Sequence, residues 1–244
     1  MSLFRPLTIA LTLAVATPAL ANPIELITNG GFETGTLSGW VATNHTSPGT
    51  CNAANRDWNV SASGTATGCI SRPNPVSGTY AAFAMNDGFG PVEYRVTQTF
   101  TVPNNITSAT LSFLDSVAAV YTGIPRTWSA ILMRDTGFAA GIPYHQVIPF
   151  VMGQGWTLHT IDVTTVLQSQ EGQTLSLIFR NVVPEVFTGG GGIGLDQVSL
   201  LVETAAPVAA PEPVSLGVLT LGLVGLALTR RRPDRSPRAP VASA

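Results

Sequence analysis

The chain has 244 residues, of which 45% are hydrophobic, with 12 basic and 14 acidic side chains. None of the basic residues is a lysine, and the segment from Asn22 to Ala210 contains six arginines and twelve carboxylates, which gives it a net charge of −6. A surface with this charge cannot neutralise a series of phosphates, so the composition argues against nucleic acid as a partner.

Residues 1–21 have the three parts of a secretory signal peptide. Arg5 supplies a positive charge, Leu7 to Ala16 form a short apolar segment, and the sequence Ala19-Leu20-Ala21 is a small-residue cleavage site. We therefore expect the protein to be exported and the mature chain to begin at Asn22. About 190 residues then remain before Pro211, which is the size of one domain.

Strand patterns dominate residues 22–204. The clearest pattern is Val92 to Val102, where apolar residues alternate with Glu93, Arg95 and threonines, as in a half-buried antiparallel strand. Turn-forming residues separate the patterns, and no segment between the two chain ends shows a helical period. We predict an all-β domain of two packed sheets with about nine strands: Ile24–Thr28, Tyr80–Met85, Val92–Val102, Ala109–Leu114, Thr127–Arg134, His145–Val151, Trp156–Val163, Thr174–Asn181 and Ile193–Val202.

The two cysteines, Cys51 and Cys69, lie in a segment rich in Gly, Ser, Thr and Asn. In an oxidising, exported context this predicts one disulfide that closes a loop of about 18 residues. A metal bound by the two thiols is the alternative. The three histidines, His45, His145 and His159, share no metal-ligand spacing and are interpreted as ordinary polar residues.

Asp196 is the residue of the last strand that most needs an explanation. In a regular strand it shares a face with Val198, Leu200 and Val202, while Leu195 and Gln197 lie on the other face. A carboxylate on an apolar face needs compensation. A Ca²⁺ ion that also binds Glu33 and carbonyl groups of the turn at residues 29–31 would provide it, and so would hydrogen bonds to Asp196.

Several short motifs are spread over residues 29–200. They are Asn29-Gly30-Gly31-Phe32-Glu33 with Gly39-Trp40, Ser77 to Ala82, Gln98-Thr99-Phe100, Trp156 before Ile161 to Thr164, and Leu195 to Leu200. Together they resemble the jelly-roll carbohydrate-binding modules of the family 4/9 type. The resemblance implies a jelly-roll β-sandwich, a structural Ca²⁺ held at positions Gly31, Glu33 and Asp196, and binding of a polysaccharide.

Sugar binding needs flat aromatic surfaces and side chains that hydrogen-bond to hydroxyl groups. The candidates in or beside the middle strands are Tyr121, Arg126, Trp128 and Tyr144, whereas Trp40 and Trp156 are expected to be core or lid residues. The chain has no Gly-x-Ser-x-Gly motif. No carboxylate pair is marked out for glycoside hydrolysis, because Asp57, Asp87, Asp115 and Asp135 are dispersed. We therefore predict a protein without catalytic activity, with a polysaccharide hydrolase as the less favoured alternative.

The C-terminal segment has three parts after a short linker at residues 205–210. Pro211-Glu212-Pro213 precedes an apolar run from Val214 to Thr229, which is followed by Arg230-Arg231-Arg232 and a polar tail at residues 233–244. As a helix, the run reaches about 24 Å, somewhat less than the roughly 30 Å hydrocarbon core of a bilayer. The arginines would remain in the cytoplasm by the positive-inside rule.

This arrangement at residues 211–232 resembles the PEP-CTERM sorting signal of Gram-negative bacteria. The resemblance implies recognition by an exosortase, transient anchoring in the inner membrane, cleavage near the Pro-Glu-Pro motif, and delivery to the cell surface or extracellular matrix. The family usually ends soon after the arginines, and the tail at residues 233–244 departs from that pattern. A plain C-terminal membrane anchor is the alternative. The whole sequence thus predicts an exported protein that binds or organises extracellular polysaccharide, or else a structural surface protein without a sugar site.

Overall fold

The computed structural model describes residues 22–44, 58–62, 74–86, 92–119, 126–134, 144–148, 153–184 and 190–205. These residues form eleven β-strands and one short helix. The strands are β1 (Ile24–Glu25), β2 (Val41–Asn44), β3 (Asn59–Ser61), β4 (Ala81–Asn86), β5 (Val92–Thr101), β6 (Ile106–Ala119), β7 (Thr127–Arg134), β8 (Tyr144–Ile148), β9 (Gln154–Asp162), β10 (Thr174–Val183) and β11 (Gly191–Thr204), and the helix is α1 (Thr164–Gln168).

The strands form two antiparallel sheets. The six-stranded sheet has the order β3-β4-β11-β6-β9, with β1 paired to β11, and the five-stranded sheet has the order β2-β5-β10-β7-β8. From β4 to β7 the chain crosses from one sheet to the other at each step. Strands β8 and β9 then add to the edges at β7 and β6, and β10 and β11 insert between strands already placed. This is the double Greek key of a jelly roll. The predicted β-sandwich is confirmed.

Each of the nine predicted strands corresponds to one of the observed strands, namely β1 and β4 to β11. The prediction missed β2 and β3, which have four and three residues and lie at sheet edges. So short a segment contains too few alternations to show a period of two.

Alternation along the strands separates an inner face from an outer face. In β5 the side chains of Val92, Tyr94 and Val96 are buried in the core, while Glu93 and Arg95 between them are only partly buried. The five-stranded sheet therefore has one face in the core and one face directed outward.

Aromatic rings fill the space between the sheets. Phe179 of β10 contacts three of them: the ring centroids lie 4.9 Å from Phe113, 5.7 Å from Trp128 and 6.3 Å from Trp40. Burial of each large side chain contributes about 1.5–3 kcal/mol, so this cluster is the main apolar link between the sheets.

Helix α1 lies between β9 and β10 and buries Leu167. It has only five residues, and no helix in the described ranges is long and apolar enough to cross a bilayer. The predicted sorting segment at residues 211–232 lies beyond the described ranges.

Candidate functional site

The turn that follows β1 brings Glu33 to the last strand of the jelly roll. Asn29 and Phe32 have left-handed backbone angles, with φ of 51° and 56°. The carbonyl group of Gly30 accepts a 3.0 Å hydrogen bond from the amide of Val198. A Cβ atom at Gly30 would lie 1.8 Å from the carbonyl oxygen of Val198, so only glycine allows this approach.

A β-bulge in β11 determines where Asp196 points. Asp196 pairs with Leu114 and Ser199 with Ser112, so β11 has one more residue than β6 between these two pairs. Gln197, at φ 50°, lies within this irregularity.

Because of the bulge, Asp196 lies on the face opposite to the one that regular alternation predicts. Leu195 belongs to the same core cluster as Val198, Leu200 and Val202, although regular alternation places it on the opposite face. Asp196 follows Leu195 and therefore lies on the outer side of the six-stranded sheet. The extra residue at Gln197 is the physical reason for the wrong prediction.

The carboxylates of Glu33 and Asp196 both bind the segment at residues 74–80, here called the strap. Glu33 accepts hydrogen bonds from the amides of Thr79, at 2.9 and 3.1 Å, and of Tyr80, at 3.1 Å. Asp196 accepts a 3.2 Å bond from the amide of Val76 and a 2.8 Å bond from the amide of Gln197. The strap thus joins the turn after β1 to the bulge in β11.

These two carboxylates form a pair of like charges. Burial raises the pKa of Asp196, backbone hydrogen bonds oppose that shift, and the nearby charge of Glu33 adds to it. The side chain of Asp196 has no exposed surface. Within the described ranges the ion pairs join other residues, and neither Glu33 nor Asp196 takes part in one.

The donor chemistry of this pair fits a hard cation. Two carboxylates supply the negatively charged oxygens that Ca²⁺ prefers, and Gly31 lies in the same turn as Glu33. In the described part of the chain no group of three or more His, Cys, Asp and Glu side chains is clustered for a metal, so carbonyl groups or water would complete the shell. The backbone amides that already bind both carboxylates are the competing form of compensation.

A second buried carboxylate, Asp115 of β6, lies between the sheets. Its Oδ2 accepts a 2.8 Å hydrogen bond from Nε1 of Trp128, and its Oδ1 lies 3.2 Å from Nε2 of Gln154 and 3.0 Å from Nε2 of His159. The His159 ring stacks on Phe113 with centroids 4.9 Å apart. Burial raises the pKa of Asp115, and its bonds to His159 and Trp128 oppose that shift.

The sequence prediction named Asp115 only as one of several dispersed carboxylates and treated His159 as ordinary. The alternation of Leu111, Phe113, Asp115 and Val117 in β6 was the signal that places Asp115 on the core face. Because the Asp115 side chain has no exposed surface, it is not placed to meet a substrate.

The predicted ligand residues that the structure describes do not form a shared exposed surface. Trp128 is fully buried, so its ring does not offer a face for sugar stacking, contrary to the prediction. Arg126 is also buried, with 4% of its surface exposed. Tyr144 packs partly against the core, donates a hydrogen bond to Gln146, and has its pKa raised by burial. Tyr121 lies outside the described residues.

Alternation explains why the aromatic prediction failed. In β7 the side chains of Trp128, Ala130 and Leu132 are in the core cluster, while Ile131 and Met133 form a separate apolar cluster with Ile178 of β10. Both faces of β7 are therefore apolar, and alternation of residue type cannot assign them to the core or to the outside. Tyr144 pairs with Leu132 and so points the same way.

The other two aromatic predictions can be compared with the structure directly. Trp40 is buried against Phe32 and Phe179, as expected for a core residue. Trp156 is partly exposed, and its Nε1 donates a 2.7 Å hydrogen bond to the carbonyl oxygen of Asn74, at the start of the strap.

The predicted disulfide and sorting motif lie outside the described residues. They comprise Cys51 and Cys69, Pro211-Glu212-Pro213, and Arg230 to Arg232.

The outer face of the five-stranded sheet carries a row of aligned side chains, here called the arginine row. The register pairs Thr43 of β2 with Arg95 of β5, Arg95 with Arg180 of β10, Arg180 with Ser129 of β7, and Ser129 with Val147 of β8. The row therefore crosses the sheet from edge to edge.

Glu93 links the two arginines of this row. It accepts a hydrogen bond from Arg95 and a 2.8 Å bond from Nη2 of Arg180. Burial favours a higher pKa for Glu93, but the bonds and charges of Arg180 and Arg95 outweigh burial and lower it. The side chains of Arg95 and Arg180 are 25% and 28% exposed, although Nε of Arg180 is buried.

No protein-family model and no curated protein matches the chain. Among solved structures, the carbohydrate-binding module TmCBM61, solved with β-1,4-galactotriose, has a TM-score of 0.47 and 15% identity, covering 72% of this chain and 97% of that one. A module specific for non-crystalline cellulose, CBM28, has a TM-score of 0.41 and 17% identity, covering 75% and 96%.

The enzymatically active domain of tailspike protein 4 of bacteriophage CBA120 has a TM-score of 0.47 and 14% identity. The match covers 73% of this chain and only 21% of the tailspike chain. Similarities of this size assign neither a family nor a ligand to the protein.

Proposed function

We propose that the protein is an exported, non-catalytic jelly-roll module that binds extracellular polysaccharide. The observation that carries this proposal is the arginine row. On the outer face of the five-stranded sheet it places the exposed Thr43 beside the partly exposed Arg95 and Arg180, with the buried hydroxyl of Ser129 next to Arg180. Hydroxyl groups of a sugar chain need a set of oriented donors and acceptors of this kind.

The location of the protein is part of the proposal. The signal peptide at residues 1–21 and the segment at residues 211–232 support export, transient inner-membrane anchoring and sorting by an exosortase. The protein would then act at the surface of a Gram-negative cell or in its extracellular matrix. An acidic domain that is rich in hydroxyl groups is suited to such a hydrated environment.

We further propose a structural Ca²⁺ at Glu33, Asp196 and Gly31. The support is the pair of like charges, which a divalent cation would neutralise. The ion would hold the strap and the turn after β1 against β11, and it would take no part in chemistry.

One observation favours the second candidate, a structural surface protein without a sugar site. On the described part of the arginine row's face there is no Trp, Tyr or Phe, since Trp128 and Tyr144 point inward. Aromatic stacking therefore cannot carry binding on that part of the face, and hydrogen bonds and charges would have to do so.

The test is affinity electrophoresis of the full-length protein, in a detergent without a sugar headgroup, through gels that contain polysaccharide. The panel contains the exopolysaccharide of the producing bacterium and both neutral and acidic plant and bacterial polymers. Retardation by at least one polymer is expected. Unchanged mobility in every gel would reject polysaccharide binding and favour the structural surface protein.

A further inference from the structure

The two arginines of the arginine row share a carboxylate. Arg95 and Arg180 are directly paired across β5 and β10, and their side chains leave the same face of the sheet. Like charges directly opposite each other destabilise a sheet. Glu93 bonds to both guanidinium groups and offsets that cost, and a ligand carboxylate in its place would do the same.

The position of these arginines contrasts with the charge of the domain. Between Asn22 and Ala210 there are six arginines and no lysine against twelve carboxylates. Two of those six arginines are nevertheless direct neighbours on one outward face, where the carboxylate of Glu93 bonds to both and both side chains are partly exposed. An acidic domain therefore presents two accessible arginine side chains at the centre of this sheet.

The surroundings of the pair suit a sugar that carries an acid group. A guanidinium group binds a carboxylate through two parallel hydrogen bonds, which fixes the plane of the carboxylate. Thr43 and Ser129 lie on either side of the arginines in the same row. His145 of β8 lies 3.1 Å from the hydroxyl oxygen of Ser129. Ser129 is buried, so the exposed side chains of Thr43 and His145 are the groups that can orient ring hydroxyls beside the bound carboxylate.

We propose that the arginine row selects acidic polysaccharides, in which the sugar rings carry carboxylates, over neutral ones. The inference rests on the proposed function and names the class of polymer that it would bind. A carboxylate of the polymer lies between Arg95 and Arg180 and competes there with Glu93.

The experiment compares polygalacturonate with the same polymer after chemical reduction of its carboxyl groups, which leaves a neutral chain with the same linkages. Affinity of the full-length protein is measured by the gel method without added Ca²⁺, because Ca²⁺ binds polymer carboxylates. The unmodified protein is expected to bind polygalacturonate about tenfold to a hundredfold more tightly than the reduced polymer.

Three variants test the named residues. Arg180→Gln is expected to lower affinity for polygalacturonate about tenfold or more, and Glu93→Gln to raise it. Arg134→Gln is the matched control. Arg134 lies in β7, about 16 Å along the strand from Ser129, and its side chain bonds to Gln170. The substitution removes the same charge as Arg180→Gln but at a distance from the arginine row. It should therefore change affinity for polygalacturonate less than twofold. Thermal unfolding confirms that each variant is folded. The comparison of the two polymers uses the unmodified protein, so it tests the inference even if a variant does not fold.

The outcomes separate the inference from the proposed function. If both polymers bind equally, or if Arg180→Gln has no effect on polygalacturonate binding, the selectivity is overturned while polysaccharide binding stands. If polyglutamate binds as tightly as polygalacturonate, general charge attraction replaces sugar recognition and the inference fails. Binding to no polymer in the panel would reject the proposed function itself.

Discussion

Asp115 and Asp196 lie on neighbouring strands of the six-stranded sheet, point to opposite faces, and are both fully buried. Burial raises the pKa of both carboxyl groups. Asp115 is compensated by side chains, because Trp128, Gln154 and His159 all direct nitrogen atoms at it. Asp196 is compensated by backbone amides, and the charge of Glu33 works against that compensation.

The difference shows how the same desolvation cost can have two consequences. The donors of Asp115 include Trp128 of the opposite sheet, so its carboxylate connects the two layers of the sandwich. The donors of Asp196 belong to the strap and to its own strand, and a second carboxylate is nearby. The first environment is a structural hydrogen-bond network. The second retains an excess of negative charge, which a cation would neutralise.

The largest effect is expected from removal of the inner carboxylate. Asp115→Ala leaves Trp128, Gln154 and His159 without their common acceptor, so the free energy of unfolding should fall by about 3–5 kcal/mol. Urea denaturation followed by circular dichroism measures the change. Glu203→Ala, which removes an exposed carboxylate bonded to Ser108, serves as the control and should change stability by less than about 0.5 kcal/mol. Equal losses in the two variants would contradict a structural role for the network.

The second largest effect is expected at the carboxylate pair of Glu33 and Asp196. Ca²⁺ at 100 times its dissociation constant should raise the free energy of unfolding by about 2.7 kcal/mol, and excess chelator should remove the gain. A Glu33→Gln, Asp196→Asn double variant should show no response to Ca²⁺. Asp115→Asn, altered at the inner carboxylate, should respond like the unmodified protein. If Ca²⁺ and chelator give the unmodified protein the same unfolding midpoint, the backbone amides satisfy both carboxylates and no cation is bound.

The sequence predicted the jelly roll well because its central strands are long and regularly alternating. In Val92–Thr101 every second residue is buried and four of these five are apolar, and a period of two is specific for a strand that is half buried. The Ca²⁺ site predicted at Glu33 and Asp196 requires the start and the end of the β-domain to be neighbours. The structure brings these segments together through the pairing of β1 with β11 and the bond between Gly30 and Val198.

The direction of individual side chains was less predictable, and the failures have two causes. Gln197 adopts a left-handed angle that usually marks glycine, so its type gives no sign of the bulge that turns Asp196 outward. In β7 both faces are apolar, so alternation cannot show that Trp128 points inward. The arginine row depends on pairing between strands distant in sequence, and Arg95 and Arg180 become neighbours only once the register is known.

The smallest effect concerns the pH dependence that the inner carboxylate gives to stability. Because the pKa of Asp115 is raised in the folded state, that state retains its proton at pH values where the unfolded chain has lost it. Its contribution to stability is therefore largest below the ordinary carboxyl pKa of about 4 and is lost as pH rises through the raised value. The free energy of unfolding of the unmodified protein, minus that of Asp115→Asn, should fall over this range and then level off. Urea denaturation at pH 4 to 7 measures the difference, and the same series in a His159→Gln background separates the effect of Asp115 from that of its histidine partner. A difference that grows with pH would mean that the hydrogen bonds to the carboxylate outweigh its burial, and Asp115 would then be held as a charged group.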